Sequence, residues 1–221
     1  MKKAKILSAL LILLALVFIK GEYDSHHRSD RYFRTVAAKS VAPAKLFSIV
    51  RGERRIGTTF QLAYKGWQYT ITNNHICKAY DEYIIVGEEA LKILYKDPVH
   101  DICVIESSSV LPYLKIAERR LEPTDDVYVI GFPRGMNKTV RSGYLINYGF
   151  SVFGWLKNKL TVQYGVISAT AYPGNSGSPI LNSKGEVVGI LFAGQRGIHT
   201  EALIVPLLYL TKALDRFNAQ R

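Results

Sequence analysis

The 221-residue sequence predicts an all-β domain, a sandwich or a pair of barrels, with one C-terminal helix and an apolar N-terminal helix before it. Three observations lead there. Short runs of β-branched and aromatic residues recur from residue 45 onward. Turn formers separate them, as in Lys65-Gly66, Asp97-Pro98, Phe132-Pro133-Arg134-Gly135 and Ser183-Lys184-Gly185. Only Pro206–Asn218 carries a helical period. There Leu207, Leu210, Leu214 and Phe217 share one face, with Lys212, Asp215 and Arg216 elsewhere.

Composition narrows the class. A chain that is 48% hydrophobic and 21% charged is neither disordered nor collagen-like. Two cysteines cannot build a disulfide scaffold, and their spacing fits no zinc motif, so no metal is expected. The net charge of +11 raises the question of nucleic acid. Its placement answers it. Lys2, Lys3, Lys5 and Lys20 have no acidic neighbour, and residues 21–55 carry eight basic against four acidic side chains. Most of the excess is therefore N-terminal and suits anionic lipid headgroups, while the body shows no phosphate-tracking stripe.

Met1–Lys5 is a positive leader, and Ile6–Ile19 is an uncharged run of fourteen residues broken only by Ser8. That length matches a signal-peptide core and is short for a spanning helix. The small-residue pairs for cleavage are poor: Ala15 with Val17, or Ile19 with Gly21 beside Lys20. Ala4 and the lysine stems lengthen the span by snorkelling. Residues 1–21 thus read as a signal peptide or, slightly favoured, an uncleaved anchor meeting the membrane through residues 4–20. Either way the body is exported, anchored in the inner or plasma membrane, or secreted or periplasmic if cleaved. Residues 22–44 hold His26, His27 and alternating charges at Arg28, Asp30, Arg31 and Arg34, with no apolar period. They read as a solvated linker.

Strands are expected at Leu46–Val50, Thr58–Leu62, Tyr69–Thr72, Tyr83–Val86, Ile102–Ile105, Val127–Ile130, Leu160–Tyr164 and Val187–Leu191, and the apolar pair Ile180-Leu181 continues the series. Three local patterns stand among them. In Tyr172-Pro173-Gly174-Asn175-Ser176-Gly177-Ser178-Pro179, glycines flank a serine, so a tight turn projects its hydroxyl. The Gly174 and Ser176 N–H groups can then face one point and stabilise an oxyanion. In Tyr69-Thr70-Ile71-Thr72-Asn73-Asn74-His75-Ile76, a β-type run ends by presenting a histidine, the residue suited to a general base near neutral pH. In Asp97-Pro98-Val99-His100-Asp101-Ile102-Cys103-Val104-Ile105, Asp101 opens an apolar strand, and a buried carboxylate there needs a partner such as an imidazole N–H.

The order His75…Asp101…Ser176, with the motif blocks Thr72-Asn73-Asn74-His75, Asp101-Ile102-Cys103-Val104 and Gly174-Asn175-Ser176-Gly177-Ser178-Pro179, resembles the trypsin-like, chymotrypsin-fold serine proteases. The style is that of short bacterial, HtrA-like members without a PDZ domain. Gly57-Thr58-Thr59-Phe60, Gly131-Phe132-Pro133 and Gly189-Ile190-Leu191 resemble supporting strands and turns of that family. The resemblance spans roughly residues 45–210.

It implies two antiparallel six-stranded β-barrels, about 45–120 and 121–206, with the site in the cleft between them and a helix over 207–218. It also implies peptide-bond hydrolysis through an acyl-enzyme. Ser176 would be the nucleophile, His75 the base and then acid, Asp101 the orienting carboxylate, and Gly174 and Ser176 the oxyanion hole. No cofactor is implied, and a polypeptide is the substrate. The substrate pocket would be lined by Thr170 and Ala171, by Phe192, Ala193 and Gly194, and by the segment around His199. Glu201 would select a basic and His199 an acidic side chain, unless, as the favoured reading has it, they face solvent.

Departures are equally specific. Asn175 and Ser178 replace the aspartate and glycine of many relatives. Phe192 falls where animal relatives carry a serine that holds the aspartate. Cys77 and Cys103, each two residues beyond a member of the triad, read either as a disulfide bracing the site or as two buried small side chains. The Phe192 departure also keeps open an alternative from another class: a catalytically silent trypsin-like fold serving as a membrane-tethered binding module.

Overall fold

The computed structural model describes Ala15, Lys20 and residues 31–48, 52–151, 162–195 and 198–221. Apart from Ala15 and Lys20, which are helical and exposed, the expected apolar leader lies outside the described residues. Among the described residues no helix is long and apolar enough to cross a membrane.

Thirteen strands run through the described body: β1 (Val41–Ser48), β2 (Gly52–Tyr64), β3 (Trp67–Thr72), β4 (Tyr83–Val86), β5 (Glu89–Asp97), β6 (Ile102–Ile105), β7 (Leu114–Lys115), β8 (Asp126–Gly131), β9 (Thr139–Ser151), β10 (Gln163–Ile167), β11 (Pro179–Leu181), β12 (Val187–Gln195) and β13 (Ile198–Pro206). A single turn of helix, α1 (Asn74–Cys77), follows β3, and α2 (Leu207–Asn218) ends the fold. The order β1-β4-β5-β6-β3-β2 closes on itself through β1–β2 pairing, with β7 added in parallel to β2. The order β10-β13-β12-β11-β8-β9 makes a second closed barrel. Two six-stranded antiparallel barrels and a C-terminal helix are thus the architecture the motifs implied. Closure leaves each barrel without a free edge.

Strand alternation explains why the runs look apolar on both faces. In β6, Cys103 and Ile105 point into barrel one, beside Cys77, Ile84, Val86 and Leu91. Its alternate residues Ile102 and Val104 face a layer shared with barrel two, among Phe60, Ile71, Ile130 and Val205. In β8, Val127 and Val129 fill barrel two, whereas Tyr128 and Ile130 face the shared layer. With a period of two, a strand buried on both sides reads as one continuous hydrophobic run. Strands β5, β7, β9 and β13 escaped the sequence reading. Charged and half-exposed residues interrupt β5 and β9, so neither carries a continuous run or a strict alternation.

Residues 31–44, expected as linker, fold onto the body. A helical turn over 31–35 seats Phe33 at 0% exposure, stacked on Tyr128 with ring centroids 3.8 Å apart. Ala37, Ala38 and Val41 follow into the same core, and β1 begins at Val41 rather than in the forties' second half. Phe33 and the alanines are too few and too interspersed with charge to show an apolar period. Their burial depends on a barrel surface far along the chain.

Helix α2 packs back across barrel one. Its Phe217 meets Tyr69 edge-on at 5.9 Å, Tyr69 donates its hydroxyl to Asn218 Oδ1 at 2.5 Å, and Asp215 accepts from the Tyr64 hydroxyl and Lys65.

Candidate active site

His75 sits in the one-turn helix α1, at the end of β3. Its backbone N–H donates to Asp101 Oδ1 at 2.7 Å, and its ring Nδ1 meets Asp101 Oδ2 at 2.6 Å. The carboxylate thereby fixes both the position and the tautomer of the ring, with the proton on Nδ1 and Nε2 left as acceptor.

Asp101 adopts φ +57°, the left-handed region, which costs a non-glycine residue about 1 kcal/mol. Its carbonyl is gripped by Asn73 Nδ2 at 3.0 Å and the Asn74 N–H at 3.1 Å. Asn73 Oδ1, the atom that could accept a capping bond from α1, makes none and is buried without a hydrogen-bond partner. Upstream, Asp97 closes the preceding turn by accepting the Val99 and His100 N–H groups and the His100 ring. A disulfide joins Cys77 to Cys103 inside barrel one, tying the segment after His75 to the strand after Asp101.

Two successive turns shape the serine loop. The Asn175 N–H donates to the Tyr172 carbonyl and the Ser178 N–H to the Asn175 carbonyl, both at 3.0 Å. Pro173 and Gly174 (φ +94°) fill the central positions of the first turn, the signature of type II. Gly177 (φ +85°) is the third residue of the second, and a Cβ there would lie 2.1 Å from the Thr58 carbonyl oxygen.

Thr58 of β2 clasps this loop from the other barrel. Its N–H donates to the Ser176 carbonyl at 2.8 Å, its hydroxyl donates to the Gly174 carbonyl at 2.8 Å, and that hydroxyl accepts the Phe132 N–H at 3.2 Å. The Pro173 carbonyl accepts the Arg134 N–H at 2.5 Å. A trans peptide points its carbonyl and N–H in opposite directions, so this bond turns the Gly174 N–H away from Arg134. Among the described hydrogen bonds neither the Gly174 nor the Ser176 N–H has a protein acceptor. Arg134 also lays its guanidinium over the Tyr172 ring at 4.6 Å.

Ser176 Oγ donates to the Phe192 carbonyl at 3.3 Å. The Phe192 ring stacks on Tyr164 (centroids 4.9 Å apart, planes 9° apart) and meets His75 edge-on at 6.3 Å. Burial pushes the Tyr164 phenol up to about 12, with the charges of Asp101, Tyr209 and Asp97 adding to it.

Of the residues expected to line the substrate pocket, Ala171 and Gly194 come together, since a Cβ on Gly194 would lie 3.2 Å from the Ala171 carbonyl oxygen. Thr170, Ala171 and Ala193 are half-buried and Gly194 is exposed. The Phe192 ring turns inward to Tyr164 and His75. His199 lies in β13, but its side chain is outside the described ones. A cavity of about 310 Å³ between Glu118, Arg119, Asp125, Lys184 and Glu186 stands apart from all of these. Among the described residues no cluster of histidine, cysteine and acidic side chains suits a metal ion.

Thr58, Asn73, Tyr164 and the Arg134 N–H were not singled out by sequence. Thr58 lay within a block that resembled a supporting strand. Asn73 lay within the block that ends at His75 and Arg134 within a quoted turn, but their bonds to the Asp101 and Pro173 carbonyls, like the packing of Tyr164, are long-range and leave no local signature.

Comparison with known proteins agrees with this geometry. The family model for the trypsin-like peptidase domain matches residues 56–190, more than half of the chain. A probable periplasmic serine endoprotease, DegP-like, of Pseudomonas putida (strain GB-1) is 30% identical over 171 residues, covering 71% of this chain and 35% of its own length. A probable periplasmic serine endoprotease, DegP-like, of Pseudomonas fluorescens is 32% identical over 151 residues, or 63% and 30%. The chain thus spans about a third of the length of the curated relatives it matches. Among solved structures, the active form of the Rv3671c protease from M. tuberculosis superposes with a TM-score of 0.69 at 19% identity, over 82% of both chains. The serine endoprotease from Yersinia pestis does so with 0.68 at 23%, over 86% of this chain and 66% of that one. On the family match, on two closed barrels and on a histidine, aspartate and serine loop in the family's order, the chain belongs to the trypsin-like peptidase family.

Proposed function

We propose that the protein is a serine endopeptidase with the triad His75, Asp101 and Ser176. The doubly bonded His75–Asp101 pair carries this reading, because it leaves Nε2 as a neutral acceptor on the side of the ring that the carboxylate does not occupy. At rest Ser176 Oγ lies on the Phe192 carbonyl. To act as nucleophile the hydroxyl turns from that carbonyl to Nε2 by rotation about the Cα–Cβ bond, and such bonds commonly tighten only with substrate bound.

In the first half-reaction Oγ attacks the substrate carbonyl carbon while its proton passes to Nε2. The Gly174 and Ser176 N–H groups receive the oxyanion. The tetrahedral species collapses to an acyl-enzyme as the imidazolium protonates the departing amine. Water then attacks the ester by the same steps, returning the proton to Ser176. Asp101 stays ionised and stabilises the imidazolium. Polypeptide is the substrate class, and the segments around Thr170, Ala171, Ala193, Gly194 and His199 supply its pocket.

Export is supported by the basic, apolar N-terminus, by the Cys77–Cys103 disulfide and by relatives described as periplasmic. Tethering through residues 4–20 is the finer reading, tested by whether the full chain sediments with membranes and resists carbonate extraction.

A second reading, a silent fold that binds without cleaving, draws on the Ser176 hydroxyl resting on a carbonyl instead of a base. One experiment separates the two. The full chain is treated with a fluorophosphonate probe beside Ser176→Ala and His75→Ala. Labelling of the wild type that both variants lose supports the endopeptidase, whereas no labelling of folded wild type leaves the silent fold.

A further inference from the structure

Phe192 touches both halves of the site. Its carbonyl holds Ser176 Oγ at 3.3 Å, and its ring meets His75 edge-on with planes 73° apart. One residue reaches both because the β12–β13 ladder slips between Leu191 and Ala193. Phe192 occupies that slip, so its carbonyl and side chain are re-aimed out of the ladder.

Its other ring face is fixed by Tyr164, which is 4% exposed and held in β10, between β9 and β13. Asp101 receives only two described hydrogen bonds at its carboxylate, both from His75. No described hydroxyl holds the carboxylate from behind. The carboxylate holds the ring at Nδ1, and rotation about that contact is limited by what packs against the imidazole, where the Phe192–Tyr164 stack supplies a surface.

We propose that Phe192, backed by Tyr164, is a positioning residue. Its ring sets the His75 imidazole against Asp101, and its carbonyl holds Ser176 Oγ ready to turn to Nε2. The inference rests on the endopeptidase reading for its kinetic consequence. Its structural consequence stands apart from turnover.

The test uses the full chain carrying Phe192→Leu, Phe192→Tyr and Tyr164→Leu. Leucine keeps most of the volume, so the fold survives while the flat stacking surface is lost. Two measurements are made: kcat and KM on p-nitrophenyl acetate, whose small acyl group makes little use of a side-chain pocket, and the low-field proton NMR signal of the His75 Nδ1–H in a Ser176→Ala background. Phe192→Leu and Tyr164→Leu are expected to lower kcat about 100-fold with KM nearly unchanged, and to broaden or shift the low-field signal. Phe192→Tyr retains the stack and is expected to keep both. A leucine variant with wild-type kcat and an unmoved signal overturns the proposal, as does a change confined to KM. A wild type that never turns over the ester sinks the endopeptidase reading instead, and the NMR signal still decides the positioning role.

Discussion

His75 and Asp101 are joined twice, ring Nδ1 to Oδ2 at 2.6 Å and backbone N–H to Oδ1 at 2.7 Å, so one carboxylate holds both the side chain and the main chain of one histidine. The second bond matters as much as the first. It ties the one-turn helix bearing His75 to the turn bearing Asp101, and the Asn73 amide and Asn74 N–H on the Asp101 carbonyl complete the tie. Asp101→Asn leaves an isosteric side chain but presents an amide where an acceptor is needed, which reverses the favoured tautomer. Its kcat on an activated ester should fall about 10⁴-fold with the circular dichroism spectrum unchanged. Retention of a tenth of the activity would contradict the role given to Asp101.

The Cys77–Cys103 bond closes a loop of 26 residues that contains Asp101 and most of barrel one's hairpin. Chain entropy assigns such a cross-link about 3 kcal/mol. The double variant Cys77→Ala, Cys103→Ala should therefore unfold at lower denaturant concentration by about that amount. Wild type kept in reductant should approach the same midpoint. Equal midpoints for oxidised wild type and the double variant would deny the bond a stabilising part.

Phe33 is a core residue placed before the first strand. It is fully buried against Tyr128, so Phe33→Ala should cost about 3 to 5 kcal/mol in a urea titration of the full chain. Chains beginning at residue 40 lose Phe33, Ala37 and Ala38 together and should be destabilised further. A loss below about 1 kcal/mol for Phe33→Ala would return residues 31–38 to the role of a tether.

Asp97 supplies a pH dependence with a definite sign. Burial pushes its carboxyl up, but the His100 ring, the His100 and Val99 N–H groups and the His100 charge together outweigh this and hold it below the ordinary value. Arg216 Nη1, 3.8 Å away on α2, faces the same carboxylate, and Tyr164 lies within reach of its charge. A carboxyl with a depressed pKa in the folded state contributes stability that is fully present above its unfolded pKa of about 4. That contribution is lost as pH falls through the folded value. Wild-type stability in urea should fall below about pH 4. Asp97→Asn should start about 2 kcal/mol lower at pH 7 and fall less steeply over the same window. Parallel profiles for the two proteins would remove Asp97 from the acid response.

Much of this was legible in the sequence, because chemistry and turn geometry are local. The glycines around Ser176 stand where positive φ is needed, His75 does follow shortly after a strand, β3 ending at Thr72, and Asp101 does precede a fully buried strand. The C-terminal helix was visible in its apolar face, and two barrels followed from the resemblance of three ordered motifs. The disulfide was one of two open readings, since a cysteine spacing carries no distance. Residues 31–44 read as linker because Arg31, Arg34 and Lys39 interrupt their few apolar side chains, and the surface that buries Phe33 lies far along the chain. Strands β5 and β9 hid in mixed patterns.

By itself the sequence determined which residues are proposed to carry the chemistry and where the chain must turn, since those depend on residue type and on backbone dihedrals within a few positions. Only the tertiary structure decided what holds them. Thr58 clasps the serine loop from the opposite barrel, the Arg134 N–H orients the Pro173–Gly174 turn, and Phe192 and Tyr164 stack behind His75. These contacts join residues more than a hundred positions apart, as between Thr58 and Gly174, 116 positions apart in the chain. They exist because closing two sheets into barrels and pressing them together buries an apolar layer. That burial, and not any local preference, brings the partners within hydrogen-bonding and van der Waals reach.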